Sequence, residues 1–140
     1  DYEKCERSKD TAGDNAEKAA LQYEKDKLLN LMRPDLESRV ERVSLKSSDY
    51  GYDILSFQVQ NGEVSELHIE VKSATVTENY LTFFISENEL KHFKNDKYYA
   101  IYCLYKVGKY YKLHIVDYAA FFKTDYLTPM SYMVRIRINP

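Results

Sequence analysis

The sequence is poor in the residues that interrupt, staple or anchor a fold. Among 140 residues there are 4 glycines, 3 prolines, 2 cysteines and no tryptophan. Two cysteines, Cys5 and Cys103, build neither a cysteine-rich zinc site nor a disulfide framework, which points to a reducing, cytoplasmic setting. With so few glycines and no GKS or GKT tract, a phosphate-binding loop is missing, which argues against nucleotide hydrolysis. No apolar run approaches the roughly 18 residues of a membrane span. Twenty basic and 22 acidic residues leave a net charge of −2, too little for a global field that gathers nucleic acid or an anionic membrane. The chain opens at Asp1 with no charged-then-apolar leader, so the expectation is a fragment of a larger protein without a secretory signal.

What is present suits an ordinary folded domain: 44% hydrophobic and 30% charged residues, in a length that fits one core. Residues 1–12 are polar without period and read as a flexible lead-in or linker, with a single domain over 13–140. Residues 1–80 hold 11 Lys/Arg against 17 Asp/Glu, a balance of −6, while residues 81–140 hold 9 against 5, a balance of +4. Nine of the 14 tyrosines fall between Tyr98 and Tyr132. Tyrosine suits half-buried strands, so base stacking is the second explanation of that bias.

Periodicity predicts the elements. A helix over about Asp14–Met32 has Ala16, Ala19, Ala20 and Tyr23 as its buried side, Asp14 and Glu17 as a capping box, and Pro34 as its stop. Ser38–Lys46 alternates ambiguously, as a strand would. Asp53–Gln60 and Val64–Lys72 flank the turn signal Asn61-Gly62 and predict a hairpin. A short apolar stretch, Leu81–Ile85, precedes a helix capped by Ser86 with Glu89 three residues on. Strands at Tyr98–Val107, Tyr110–Val116 and Tyr132–Ile138 complete a mixed α/β layer protein.

One juxtaposition carries chemistry. Centred on Asn61-Gly62, the hairpin sets Asp53 opposite Glu70, with Cβ atoms roughly 5.5 Å apart; a bulge or one-residue slip is the alternative register. Lys72 shares the face of Glu70. Two carboxylates so close repel unless a cation lies between them, and a hard divalent ion such as Mg²⁺ takes oxygen ligands. Lys72 adds an ammonium able to orient water and offset phosphate charge. Acid, acid, lysine and metal suit phosphodiester hydrolysis; a surface salt bridge is the plainer reading of Glu70 and Lys72. His68 lies on the same face, where it either touches substrate or faces solvent. Lys91, Lys94, Lys97, Lys106, Lys109 and Lys112 form either a phosphate-contacting rim or a solvated face. Glu24 is either a support for the site or plain helix-surface charge.

The pattern formed by Gly13, Ala16 and Glu17, Tyr23 and Glu24, Gly51-Tyr52-Asp53-Ile54 with Ser56, Ile69-Glu70-Val71-Lys72, Ser86-x-Asn88-Glu89, and Tyr99-x-x-Tyr102 resembles the NO VEIN C-terminal domain family. That family is a branch of the PD-(D/E)xK nuclease superfamily, often attached to helicase or restriction-type proteins. The resemblance implies a restriction-endonuclease-like αβββαβ core, with a mixed central sheet flanked by helices. It implies that Asp53, Glu70 and the Val71 carbonyl ligate Mg²⁺ (Mn²⁺ as substitute), that Lys72 serves the attacking water, and that Glu17 completes the catalytic set. The expected function is a Mg²⁺-dependent DNA endonuclease domain of a restriction or phage-defence protein. DNA is then the partner, contacted by Lys91, Lys94, Lys97, Lys109 and His68, along with a helicase or ATPase domain of the parent protein and possible homo-oligomers. The alternative is a non-catalytic nucleic-acid-binding or protein-docking module on the same fold.

Overall fold

The computed structural model describes residues 2–123, 126–128 and 132–139. The first helix, α1, is Tyr2–Asn30, about 44 Å long. The expected lead-in is therefore helical backbone from Tyr2 onward. Its Glu, Lys, Arg and Ala are good helix formers, and one interior glycine, Gly13, costs only about 1 kcal/mol. Asp14 and Glu17 consequently lie in mid-helix, and Asp14 pairs with Lys18 at 3.0 Å instead of capping. The buried stripe repeats every four residues through Ala16, Ala20, Glu24 and Leu28, each 0% exposed. Tyr23, expected on that face, is largely exposed.

The helix ends through backbone geometry. Met32 adopts φ 60°, and the Arg33 and Met32 amides donate to the carbonyls of Leu28 and Leu29, a Schellman closure with methionine where glycine is usual. Pro34 then opens a short helix, α2 (Pro34–Glu37). The strand expected at Ser38–Lys46 is absent: Val43–Leu45 is a 3-10 turn, and a single bridge joins Glu41 to Leu55. Strict alternation there puts Arg42 and Ser44 on the face of Val40. The chain bends instead, burying Val40 and Val43.

Strands β1 (Ile54–Gln60) and β2 (Glu63–Ser73) form the expected antiparallel hairpin. Ile54 pairs with Ile69, Leu55 with His68 and Phe57 with Glu66, so the register is the one centred on Asn61-Gly62, without slip. After β3 (Thr75–Thr77), β4 (Tyr80–Ile85) and α3 (Glu87–Asn95), the chain returns as β5 (Tyr99–Val107), parallel to β2. Strand β6 (Tyr110–Ile115) pairs antiparallel with β5. A helix missed in the sequence, α4 (Tyr118–Lys123), follows, then β7 (Leu127–Thr128) and β8 (Tyr132–Arg137).

The strands form two sheets, ordered β1-β2-β5-β6 and β3-β4-β8-β7. The class is mixed α/β as expected, and α1, β1, β2, β4, α3, β5 reproduce the αβββαβ order. The third strand of that order, β4, pairs with β8 in the second sheet. One core lies between α1, α2 and the first sheet, around Ile54, Leu67, Ile69 and Tyr102. The other lies between the two sheets and α3 and α4, around Phe83, Ile101, Phe93 and Phe121. Both faces of the middle of the first sheet are thus covered, so a polar side chain there, such as Glu70, is taken out of water. No helix among the described residues is long and apolar enough to cross a membrane.

Candidate active site

Asp53 sits at the entrance to β1, directly after a 3-10 turn (Ser48–Tyr50) that ends at Gly51 in the left-handed region, φ 78°. A Cβ on Gly51 would lie 2.7 Å from His92 Nε2, so glycine is required there both for φ and for space. The Tyr99 hydroxyl donates to the Gly51 carbonyl at 3.1 Å, and His92 stacks on Tyr99. His92, assigned nothing from the sequence, thereby braces the Gly51-Tyr52-Asp53 loop. The Asp53 amide donates to the Ile69 carbonyl at 2.8 Å, and its Oδ2 accepts from the Val71 amide at 2.8 Å. The carboxylate is therefore tied to the backbone of the Glu70-Val71-Lys72 segment.

Glu70 and Lys72 share the face of β2 that elsewhere belongs to the inter-sheet core, and Glu70 is buried. Lys72 Nζ lies 2.7 Å from Glu89 Oε1 and 3.8 Å from Glu70 Oε1. Glu89 also performs its expected capping: its carboxylate accepts from the Ser86 amide at 2.8 Å, and its own amide donates to Ser86 Oγ at 3.0 Å. A residue read from the sequence only as helix-start chemistry is therefore also the counter-ion of Lys72. The capping-box spacing was the available signal, because it fixed Glu89 within one turn of the start of α3.

The electrostatics follow from burial. Desolvation, then the neighbouring carboxyl groups of Glu89 and Asp53, push Glu70 past neutrality, so it is a carboxylic acid at pH 7. Burial alone would raise Glu89, but contacts with Glu70, Lys72 and the Ser86 amide outweigh it and hold Glu89 below its ordinary value. Burial also raises Asp53, opposed by the Val71 amide and reinforced by the charge of Glu17. One proton and one ammonium thus hold three carboxyl groups together.

Glu17 approaches from α1 but is already engaged. It accepts from Arg42 at 3.2 Å and from the Ser44 hydroxyl at 2.5 Å. Arg42 also holds Asp14 at 2.9 Å. Ser44, Tyr52, Asp53, Glu70, Ser86 and Glu89 line a cleft of about 290 Å³. A larger hollow, about 540 Å³, lies between Thr11 of α1 and Tyr111 of β6 and holds none of these carboxylates. Glu24, also read as plain helix-surface charge, is fully buried, bound by the Tyr102 hydroxyl at 2.8 Å and by Lys27 at 2.6 Å. It ties α1 to β5 from the opposite face of the sheet.

His68 stacks on Tyr52 with ring centroids 4.4 Å apart. Its two nitrogens meet Asp96 at 2.6 Å and Glu66 at 2.9 Å, so it supports Tyr52 and has no ring nitrogen left for a substrate. The lysines do not form one rim. Lys91, Lys94 and Lys97 are exposed on and just after α3, while Lys109 is exposed at the β5–β6 turn. The nine residues of β5 put about 30 Å between the two groups. Lys94 and Lys97 also lie over the rings of Phe122 and Tyr98.

The donor set is all hard oxygen, and a buried carboxyl crowded by two others is a group whose charge a divalent cation would balance. In the described residues, however, no three His, Cys, Asp or Glu side chains stand as a finished metal shell; Glu70 and Glu89 are closed on each other and on Lys72.

The family model described as Protein NO VEIN, C-terminal, matches residues 16–116. The chain belongs to this family, and the matched span contains Glu17, Asp53, Glu70, Lys72 and Glu89. It stops before α4, β7 and β8. No curated protein and no solved structure matches the chain.

Proposed function

We propose that this domain is a Mg²⁺-dependent endodeoxyribonuclease. The observation that carries the reading is the register of β1 on β2, which delivers Asp53 and Glu70 to one cleft with Lys72 on the same buried face. Asp53, Glu70 and the Val71 carbonyl would hold the metal, which supplies polarisation of the scissile phosphate and neutralises charge as the bond breaks. The protein's own part is then defined. Glu70, held as a carboxylic acid by burial, would have to give up its proton to serve as a ligand. Lys72, held at 2.7 Å by Glu89, orients the attacking water and offsets the growing phosphate charge. Water attacks phosphorus in line, the P–O3′ bond breaks, and the products carry a 5′-phosphate and a 3′-hydroxyl. Such a module suits the cleavage domain of an intracellular restriction or phage-defence protein, acting beside a helicase or ATPase domain.

One observation favours the alternative of a non-catalytic binding module: the cleft is self-satisfied, with Lys72 paired to Glu89 and Arg42 paired to Glu17 and Asp14. Calorimetric titration with Mg²⁺ and Mn²⁺ separates the two. The wild-type domain should bind the metal with proton release, and Asp53→Asn should lose binding while remaining folded. Asparagine is the substitution of choice because its Oδ1 can still accept from the Val71 amide, whereas alanine would orphan that buried donor at a cost of about 1–3 kcal/mol. Absence of metal binding by the wild type would support the module.

A further inference from the structure

We propose that the outer face of the second sheet binds single-stranded nucleic acid and leads it to the cleft. This inference rests on its own observations and holds whether or not the cleft is catalytic. The register of β4 on β8 pairs Tyr80 with Arg137, Thr82 with Arg135 and Phe84 with Met133. The alternate residues Leu81, Phe83, Ile85, Val134 and Ile136 are buried in the inter-sheet core, so Tyr80, Thr82, Phe84, Met133, Arg135 and Arg137 share the outward face. Phe84 is 63% exposed on it, and the Arg135 guanidinium lies 4.3 Å from the centre of the Tyr80 ring.

Charge selects the occupant. Among the described residues the arginine ion pairs belong to Arg33 and Arg42, and no carboxylate shares the outward face with Arg135 and Arg137. Glu78 and Glu87 lie beyond the two ends of β4. Two guanidinium groups without an ion pair among the described residues, beside an exposed phenyl ring and a tyrosine, suit phosphates alternating with bases. A flat sheet face stacks bases only when they are unpaired, so the occupant is a single strand and not a duplex. Tyr80 to Phe84 spans about 13 Å along β4. Ile85 ends the strand, and Ser86, the N-cap of α3, lines the cleft. A strand lying along β4 therefore runs toward Asp53 and Glu70. The lysines picked out in the sequence have no part in this surface, and Arg135 and Arg137 lie beyond the family match.

The test is fluorescence polarisation of the whole chain with a labelled short oligothymidylate and its duplex counterpart, in EDTA and over a range of salt. Wild type should prefer the single strand. Phe84→Ala should weaken it about 5- to 150-fold, and Phe84→Trp should restore it. Arg135→Ala with Arg137→Ala should lower the salt slope by about 1.4, the share of two phosphate contacts on a single strand. Lys109→Ala, on the distant turn, should leave the slope within the change expected of one non-contacting charge. No binding by wild type, a preference for duplex, or binding indifferent to Phe84 and both arginines would overturn the proposal. Binding of polyglutamate that depends on the arginines but not on Phe84, with no oligothymidylate preference, would reassign the face to an acidic protein partner. Because the assay excludes metal and reads no cleavage, it stands or falls separately from the nuclease reading.

Discussion

Replacing Glu70 by glutamine tests the most unusual feature of the cleft, a buried carboxyl that stays protonated at neutral pH. Glutamine keeps size and a donor toward the neighbouring carboxylates but cannot ionise. In the unfolded chain Glu70 titrates near its ordinary value of 4.5; in the folded protein its pKa is raised. Folding therefore holds a proton that the unfolded chain loses. The associated stability is fully present below the unfolded pKa and drains away as pH rises toward the folded one. At about 1.36 kcal/mol per pH unit, wild type should lose about 2.5 kcal/mol relative to Glu70→Gln between about pH 5 and pH 7. Glu89, shifted the other way, completes its contribution below this window. His68, whose pKa is raised by Glu66 and Asp96, is common to both proteins and cancels in the difference. The assay is urea unfolding in EDTA at three pH values in that range, where the gap in midpoint should widen by roughly 1–2 M. A gap that does not change with pH would show that Glu70 is ionised in the folded protein, and the argument from burial would fail.

Three further perturbations follow from the fold. Gly51→Ala forces a side chain into the left-handed region and against His92, so it should cost about 2 kcal/mol or more, read as a lowered melting temperature. Met32→Gly relieves the same backbone penalty at an 85%-exposed position, and should raise the melting temperature by a few degrees for about 1 kcal/mol. In His68, burial lowers the pKa, but Glu66 and Asp96 more than reverse it. The stabilisation from its charged form is therefore present below the ordinary value of 6.5 and lost as pH rises through the raised folded pKa. His68→Gln should cost about 1 kcal/mol more at about pH 5.5 than at about pH 9, by chemical denaturation; an equal cost at both would show that His68 is neutral in the fold.

The site was legible where a local rule set geometry. A two-residue turn fixes register, register carries Asp53 to the end of the hairpin where Glu70 lies in the same cleft, and period two puts Lys72 on the face of Glu70. The partners of these groups were less legible, because they arrive from elsewhere in the chain. Glu89 reaches Lys72 only once α3 packs against the sheet, and Arg42 claims Glu17 across 25 residues. Glu24 looked like a surface charge because a buried glutamate is rare; its partner Tyr102 lies 78 residues away. Period also misled. The alternation at Ser38–Lys46 has no apolar face to bury, and the polar start of α1 lacks an apolar period although its residues favour helix. The pairing of β4 with β8 rather than with the first sheet has no local signature, since apolar strands fit either sheet.

The central claim is most directly tested by plasmid nicking with millimolar Mg²⁺ or Mn²⁺, comparing wild type with Lys72→Ala, on the domain alone and within its parent protein. Lys72 acts on the water and the transition state, so its loss should lower turnover by about 10²–10⁴-fold while metal and DNA affinity persist. Wild type that leaves single- and double-stranded DNA intact in both settings would contradict the account and assign the cleft to binding alone.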